Sequence, residues 1–362
     1  MNKTNSPVRI AFRRLRRHKM AMLGAGVLGI LYFGALFADF IAPYPYYEDF
    51  RNNANQPPPL IHFFDETGKF SLRPFVYEYS LQVDTQTFQR KYLPDKTQKN
   101  YIYFFASRNE TIQGGKLRSS WHLFGVAEPG HIFIFGTDTQ GRDMFSRILH
   151  GSRVSLSIGL IGVFISFTIG MLIGGISGYF GGKFDYLMMR FGEIIMMVPG
   201  MFLLLALRAA FLGLKLSSVE VFFMIVLIMS FIGWAGLARI IRGMVLSIRE
   251  REYILAAQAL GVPTWKIITK HILPNTFSFA IVSATLDIPS YILGESALSL
   301  LGLGIVEPQA SWGNMLSAAQ NLVVLEQYPW ILIPGFFIFI TVLAFNFLGD
   351  GLRDAFDPNV IM

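Results

Sequence analysis

The chain alternates long uncharged runs with short polar ones. A basic opening carries Lys3, Arg9, Arg13, Arg14, Arg16, Arg17 and Lys19, and the uncharged run from Met20 to Ala38 follows it. About twenty apolar residues is the length that crosses a bilayer as a helix, so this run predicts a first span, with Asp39, Pro43 and Pro45 at its far end. Apolar runs of similar or greater length, three of them with a few charged residues, recur at Val154 to Tyr179, Tyr186 to Phe211, Val219 to Ile240, Thr276 to Leu303 and Trp330 to Leu348. The run at 154–179 is rich in glycine and serine (Gly159, Gly162, Ser166, Gly170, Gly174, Gly175, Gly178), which lets helix backbones approach closely inside a bundle. Pro199 is expected to kink the third span, and Pro289 and Gly294 lie within the fifth.

Two stretches break this rhythm. From Tyr44 to about His150 turn residues (Pro57-Pro58-Pro59, Gly114-Gly115, Pro129-Gly130) alternate with aromatic runs such as Tyr101 to Phe105 and Ile132 to Phe135, the pattern of a small β-containing insertion. Its role is either a decorated loop or a contact surface for a partner. Asn109-Glu110-Thr111 matches a glycosylation acceptor, a triplet frequent by chance.

The second stretch, Glu252 to Asn275, is a mostly polar interlude that reads as two short helices meeting at a glycine. Ala256, Ala257 and Ala259 favour helix. Gly261 before Val262-Pro263 suits a left-handed cap followed by extended chain. Thr264 then caps a second helix, with Trp265, Ile268 and Ile272 on one face and Lys266 and Lys270 on another, and Leu273-Pro274-Asn275 stops it.

Composition agrees with a polytopic membrane protein. Hydrophobic residues make up 52% of the 362 and charged residues only 15%, and the mean hydropathy is +0.45. The net charge of +7 does not point to nucleic acid, because its densest cluster, Arg13 to Lys19, abuts the first span. No Ala-x-Ala-like site follows that span, so a cleavable signal peptide is not expected. The positive-inside rule puts the N-terminus in the cytoplasm. It puts the 252–275 stretch there too, with Arg239, Arg242, Arg249, Arg251, Lys266 and Lys270 near or within it. The loop Gly304 to Pro329 carries Glu307 and Glu326 but no Lys or Arg, as an outer loop does. The last span then returns to a short inner tail with Asp350, Arg353, Asp354 and Asp357.

Catalytic chemistry finds little support. With no cysteine there is neither disulfide nor thiol nucleophile, and the six histidines (His18, His62, His122, His131, His150, His271) have no metal-ligand spacing. No phosphate-binding Gly-x-x-x-x-Gly-Lys-Ser/Thr loop or Gly-x-Ser-x-Gly elbow occurs. Ionisable residues inside spans remain, each costing about 2.5–3.5 kcal/mol on insertion scales. Glu193 and Arg208 sit near opposite ends of the third span and read as snorkelling or capping groups. Asp287 and Glu295 lie deeper, eight residues apart and within about 80° of each other on a helix, either lining a pathway or bonded between helices.

Ala256-Ala257, Gly261 and Leu273-Pro274 fall where the EAA loop of ABC importer permeases has its Glu-Ala-Ala, Gly and Ile-x-Leu-Pro, so the stretch resembles that loop. Leu255 stands in place of the glutamate and His271 in place of the isoleucine. Gly136-Thr137-Asp138, Gly141-Arg142-Asp143, Ser146-Arg147, Gly151-Ser152-Arg153, Gly294-Glu295, Leu301 to Gly304 and Ser311-Trp312-Gly313 are similar to the dipeptide and oligopeptide permeases of the DppC/OppC type. The resemblance implies an all-α permease core of six transmembrane helices, of the type I importer class, in a bacterial or archaeal inner membrane with both termini cytoplasmic. It further implies a second homologous permease and two cytoplasmic ATPases that bind the ATP and Mg, with no cofactor in this chain. An external binding protein would deliver peptide. Glu252, Ala256, Ala257, Gly261, Trp265, Leu273 and Pro274 would couple to the ATPases, and Asp287 and Glu295 would touch the pathway.

On this reading residues 1–19 are a basic cytoplasmic segment, 20–43 the first span and 44–150 an extracytoplasmic, partly β insertion between the first two spans. Residues 151–352 are the permease core with its coupling loop at 249–275, and 353–362 are the tail. Nickel, a sugar or another small solute is the alternative cargo. An ion-coupled secondary transporter is a different class, favoured by Asp287 and Glu295 alone and lacking the internal repeat such folds show. A membrane sensor with residues 44–150 as its main site is a third, and an amphipathic helix lying on the inner leaflet is the bland account of the 252–275 stretch.

Overall fold

The computed structural model describes residues 7–83, 90–112, 116–211, 213, 214 and 216–356; Lys3, Asp357 and the Gly114-Gly115 turn lie outside them. The chain divides into two compact units. One comprises Met1–Ile30, Leu156–Gly304 and Ile338–Met362, and the other Leu31–Ser155 and Ile305–Phe337. The second unit thus takes in both ends of the β insertion and a distant loop.

The helices are α1 (Pro7–Leu15), α2 (Lys19–Leu36), α3 (Ala38–Ile41), α4 (Met144–Phe180), α5 (Gly182–Met197), α6 (Gly200–Ala210), α7 (Ser218–Arg249) and α8 (Glu252–Ala259). They continue with α9 (Thr264–Lys266), α10 (Leu273–Leu300), α11 (Trp312–Met315), α12 (Leu322–Gln327) and α13 (Ile333–Phe356). Among the described residues five helical segments are long and apolar enough to cross a membrane. The α5–α6 pair makes a sixth if its two halves form one span.

Three details depart from the expected spans. Pro199 does more than kink the third: α5 and α6 meet at 91°. Val198 is extended, as the residue before a proline prefers, and that ends α5 outright. Helix α4 begins ten residues before Val154, because the Asp143 carboxylate caps it by accepting the Ser146 N–H at 2.8 Å and hydroxyl at 2.5 Å. Its first turns are helical but polar, which hydropathy alone passes over. Finally, Leu273-Pro274-Asn275 does not stop the second short helix. Residues Thr264–Leu300 form one unbroken helical segment, with a π-helical turn at Ile267–Ile272. In that wide turn the Leu273 N–H reaches back to Ile268 O. Proline has no N–H to place, and the altered register absorbs it. Asn275 Nδ2 also donates to the His271 carbonyl at 2.5 Å.

Within the first unit α4 packs through its glycines. A Cβ at Gly174 would lie 2.5 Å from Ala238 O and 2.9 Å from Ile241 Cβ of α7, and one at Gly159 2.8 Å from Ile288 Cγ2 of α10. Those distances are below van der Waals contact, so the helices approach as closely as their backbones allow. Between α5 and α7, Arg242 holds Asp185 with Nε and Nη2 each 2.5 Å from a carboxylate oxygen.

In the second unit four antiparallel strands run in the order β1 (His62–Phe64), β2 (Phe70–Val83), β3 (Arg90–Ile112) and β4 (Lys116–Val126). The long β3 serves two hairpins: residues 90–101 pair with β2 and 102–112 with β4. Ile102 is buried between the exposed Tyr101 and Tyr103, the alternation a one-sided sheet requires. It joins Val76, Phe124 and Ile132 in a small core.

The glycine contacts yield the first prediction. Gly174→Ile should destabilise the purified protein by about 1–3 kcal/mol, seen as a Tm lower by several degrees. Gly26→Leu, with no atom within 4 Å of its new Cβ, should leave Tm unchanged. Equal Tm values for both variants would contradict the close-packing account.

Candidate functional site

Arg249 ends α7 by donating to the Gly178 and Tyr179 carbonyls at the end of α4, both at 3.2 Å. The chain then turns into α8, whose first turn carries Glu252. At the far end of α8 Gly261 has φ +74°. Its N–H bonds Gln258 O at 2.9 Å while the Val262 N–H bonds Ala257 O at 3.1 Å. This pair of bonds is a Schellman closure, which needs a left-handed residue and so favours glycine. The N-cap of the following helix is Pro263, not Thr264, which is its first residue.

One side of this knuckle is sealed. Ile254, Ile267 and Ile272 are buried in a cluster with Met171 of α4, Leu237, Ile241, Val245 and Ile248 of α7, and Ala280 of α10, with Ala257 and Leu273 packed at its margin. The other side is open: Glu252, Ala256, Gly261 and Pro274 are exposed. So are Leu260 at 83%, Trp265 at 60%, Leu255 at 51% and Tyr253 at 44%. Trp265 was expected to share the face of Ile268 and Ile272, but those two are buried and it is not. The π turn shifts the register between them. Lys266 Nζ instead sits 5.5 Å from the Trp265 ring centroid. Exposed apolar side chains clustered on a rigid support make a docking surface. Leu255, where an acidic residue was expected, makes that surface greasier rather than charged.

An open cavity of about 470 Å³ lies between α6, α7 and α10, with Leu204, Met229, Gly233, Tyr291 and Gly294 in its wall. Neither Asp287 nor Glu295 lines it. Asp287 is exposed on α10. Glu295 is fully buried, and its Oε1 accepts the Ser299 hydroxyl at 2.6 Å. The structure does not bring the two carboxylates together. Arg208 caps the end of α10, donating through Nε to Leu303 O at 2.5 Å. Glu193 pairs with Arg190 at 2.6 Å. Among the described residues no group of three His, Asp or Glu side chains could hold a metal ion.

The Gly-Thr-Asp and Gly-Arg-Asp segment forms a buried clamp in the second unit. The Asp138 carboxylate accepts the Gln140 and Arg142 N–H groups at 2.8 and 3.0 Å and Arg142 Nε at 2.7 Å. Arg142 and Arg147 converge on Glu307, the latter through Nη2 at 3.0 Å. Ser155 Oγ accepts the Trp312 N–H at 3.1 Å, and Trp312 Nε1 donates to Ile148 O at 3.1 Å. Burial alone would push the Glu307 carboxyl up, but hydrogen bonds from Arg142 and the charges of both arginines hold it below the usual range. Asp143, wholly buried, is pushed up to about 7 by desolvation. The pairing with Glu307 was not read in the sequence. The one usable signal was an acidic residue in an outer loop lacking Lys and Arg, facing a motif with two arginines.

Residues 170–362 match the family model described as "Binding-protein-dependent transport system inner membrane component". The chain belongs to this family. Residues 6–58 match the "N-terminal TM domain of oligopeptide transport permease C". The permease is 48% identical over 245 residues to the oligopeptide transport system permease protein OppC of Haemophilus influenzae, covering 66% of this chain and 75% of that one. It is 43% identical over 226 residues to the dipeptide transport system permease protein DppC of Bacillus subtilis, covering 62% and 68%. A solved structure of the MetNI methionine ABC transporter in inward-facing conformations aligns at 18% identity and a TM-score of 0.43, over 59% of this chain and 97% of that one. As a binding-protein-dependent permease it works with an ATPase and a substrate-binding protein, and its family is one of transport components rather than catalysts.

Two predictions concern the clamp. Glu307→Ala leaves the buried Arg147 without its closest carboxylate, and should lower stability by about 2 kcal/mol. That is less than the 3–5 kcal/mol usual for a broken buried pair, because Glu307 is part-exposed. An unchanged Tm would show the pairing to be idle. For Asp143, a folded-state value near 7 lies above the unfolded carboxylate's, so its native state holds a proton that the unfolded chain releases. Its contribution is complete at acid pH and is lost as pH rises toward 7. The Tm of the wild type relative to Asp143→Asn should therefore fall between pH 5 and 7 and level off above. Parallel Tm curves would overturn the assignment.

Proposed function

We propose that this permease, paired with a second homologous permease, forms the transmembrane pathway of an ATP-driven importer of di- or oligopeptides. Two ATPases beneath it bind the ATP and Mg, and this chain holds no cofactor. An external protein delivers the peptide, and both termini of the permease face the cytoplasm of a bacterial or archaeal cell. Peptide as cargo is supported by what the relatives at 43–48% identity are known to be, oligopeptide and dipeptide transport permeases. The positions of Arg13 to Lys19 and of Arg239 to Lys270 support the orientation.

The single observation that carries the coupling role is the two-sided knuckle. Its isoleucines are shared with the cores of α4, α7 and α10, while Leu255, Leu260 and Trp265 are open to a partner. In this reading the ATPase grips the exposed side, through Glu252, Ala256, Gly261, Trp265 and Pro274, and closure of the ATPase pair on ATP displaces the knuckle. The buried side, with Ala257 and Leu273 at its margin, passes that displacement into α7 and α10. Nothing need bend between them, because isoleucines packed at core density transmit strain. The two conformations of the pathway differ in their contacts with the ATPase, which is what allows ATP to shift their balance. Asp287, exposed on α10, is the stronger pathway candidate; Glu295 acts from within the bundle by fixing the last turn of α10 through Ser299.

Gly261→Trp tests this reading in proteoliposomes of the whole transporter, with binding protein outside and ATP at the ATPase side. The bulky side chain fills the exposed turn and strains a left-handed residue. Uptake of a labelled peptide should fall to the ATP-free background while the subunit stays in the membrane. Wild-type uptake in that variant would remove the coupling assignment.

A further inference from the structure

We propose that the β3–β4 hairpin lies against the outer leaflet of the lipid bilayer, with Phe104, Phe105 and Trp121 seated at the headgroup boundary. This rests on the topology proposed above, in which residues 44–150 are extracytoplasmic.

Three large aromatics on this hairpin are bare: Phe104 is 65% exposed, Phe105 62% and Trp121 64%. Successive residues of a strand face opposite ways, so two adjacent exposed phenylalanines are unexpected on a sheet with a buried side. The backbone explains how they arise. Phe105 has φ +54°, a left-handed conformation that is an outlier for so bulky a residue. The regular pairing with β4 skips it, running from Phe104 opposite Phe124 to Ala106 opposite His122. Such strain persists where the surroundings over-determine it, and here it presents an aromatic ring outward.

What lies next to that ring is the end of a membrane span. Phe105 meets Phe40 of α3 at 6.2 Å between centroids, and α3 follows α2 after one residue. Along α2 the rings of Phe33 and Phe37 pack at 4.6 Å. Phe33, Leu36 and Phe37 are themselves exposed, as lipid-facing residues of a span are. Through Phe40 the apolar surface of the span meets the hairpin, beside the exposed Asp39–Arg153 ion pair.

The hairpin is also pinned at that height. His122 Nδ1 donates to Ala42 O at 2.5 Å while the Ser120 hydroxyl bonds its other nitrogen at 2.9 Å. Arg108 clasps Glu48 through both terminal nitrogens at 3.1 and 2.8 Å, and lies 4.7 Å from the Tyr44 ring centroid. Ala42 is six residues past the end of α2, a rise of about 9 Å if helical, and the headgroup layer is roughly 5–8 Å thick. Trp121 adjoins the pinned His122, so its indole is held at the level where tryptophan concentrates in membrane proteins.

The absence of native cysteine makes the test direct. Phe105→Cys and Trp121→Cys, each labelled with the environment-sensitive fluorophore NBD, would be reconstituted as whole transporters in phosphatidylethanolamine–phosphatidylglycerol vesicles. Some of the lipid would carry a quenching nitroxide near the headgroup. Gln82→Cys, in the other hairpin and opposite Lys91, fourteen residues along β3 from Phe105, is the control. Labelling of Gln82→Cys in intact cells by a membrane-impermeant maleimide checks the topology independently. The expected result is at least about twofold quenching at 105 and 121 by the nitroxide lipid, with little at 82, in the absence of binding protein. A label reached by aqueous iodide but not by the lipid nitroxide would place the hairpin in water and overturn the proposal. So would protection from both quenchers, which would mean that a protein subunit covers it. If the Phe105 variant does not assemble, the Trp121 label decides alone.

Discussion

The close approach of α4 to its neighbours is the constraint on which the first unit depends. Lipid offers no hydrophobic drive for helices to associate, so dispersion across a tight interface must hold them. At Gly174 and Gly159 a single methyl group would already overlap α7 or α10. Because α4 touches both, it sets the spacing of the two helices between which the knuckle hangs. Met171 of α4 then completes the pocket that receives Ile254, Ile267 and Ile272. A change in helix spacing is therefore also a change in the seat of the knuckle.

The second unit obeys a different rule. Its order comes from charge: two arginines and two carboxylates in a site largely removed from water. Arg147 is buried, and a lone guanidinium there would be costly. Glu307 answers two cations at once and thereby fixes where the chain re-enters the structure after α10, 165 residues from Arg142. Asp143 stands apart from the ion pairs, with its Oδ2 accepting from the first turn of α4.

Much of this was legible beforehand, for identifiable reasons. Uncharged runs of span length and clusters of Lys and Arg are local signals, so the helices and the polar stretch at 252–275 could be read directly. The left-handed turn at Gly261 followed from the Gly-Val-Pro order. Misreadings arose where a local rule was overridden by its neighbours. Pro274 reads as a stop until a π turn supplies a register that tolerates it. Trp265 reads as an inward residue on an ideal helical wheel, and the same π turn moves it outward. Asp287 and Glu295 share a helix face on paper, but burial depends on what each meets, and Glu295 meets Ser299 within its own helix. Long-range pairings such as Glu307 with Arg142 leave no periodic trace at all.

The unbroken run from Thr264 to Leu300 has a mechanical meaning. At 37 residues it is a rod of about 55 Å, with Trp265 at one tip and the bundle's deepest carboxylate near the other. The second short helix of the 252–275 stretch, proposed above as the coupling element, is thus not hinged to this span; it is the span's own end. The opposite flank is interrupted instead, by the breaks around Arg251 and Gly261 that bracket α8. A lever of this kind, stiff on one arm and jointed on the other, turns a shove at its base into a tilt along its whole length and gives the push a single direction in which to go.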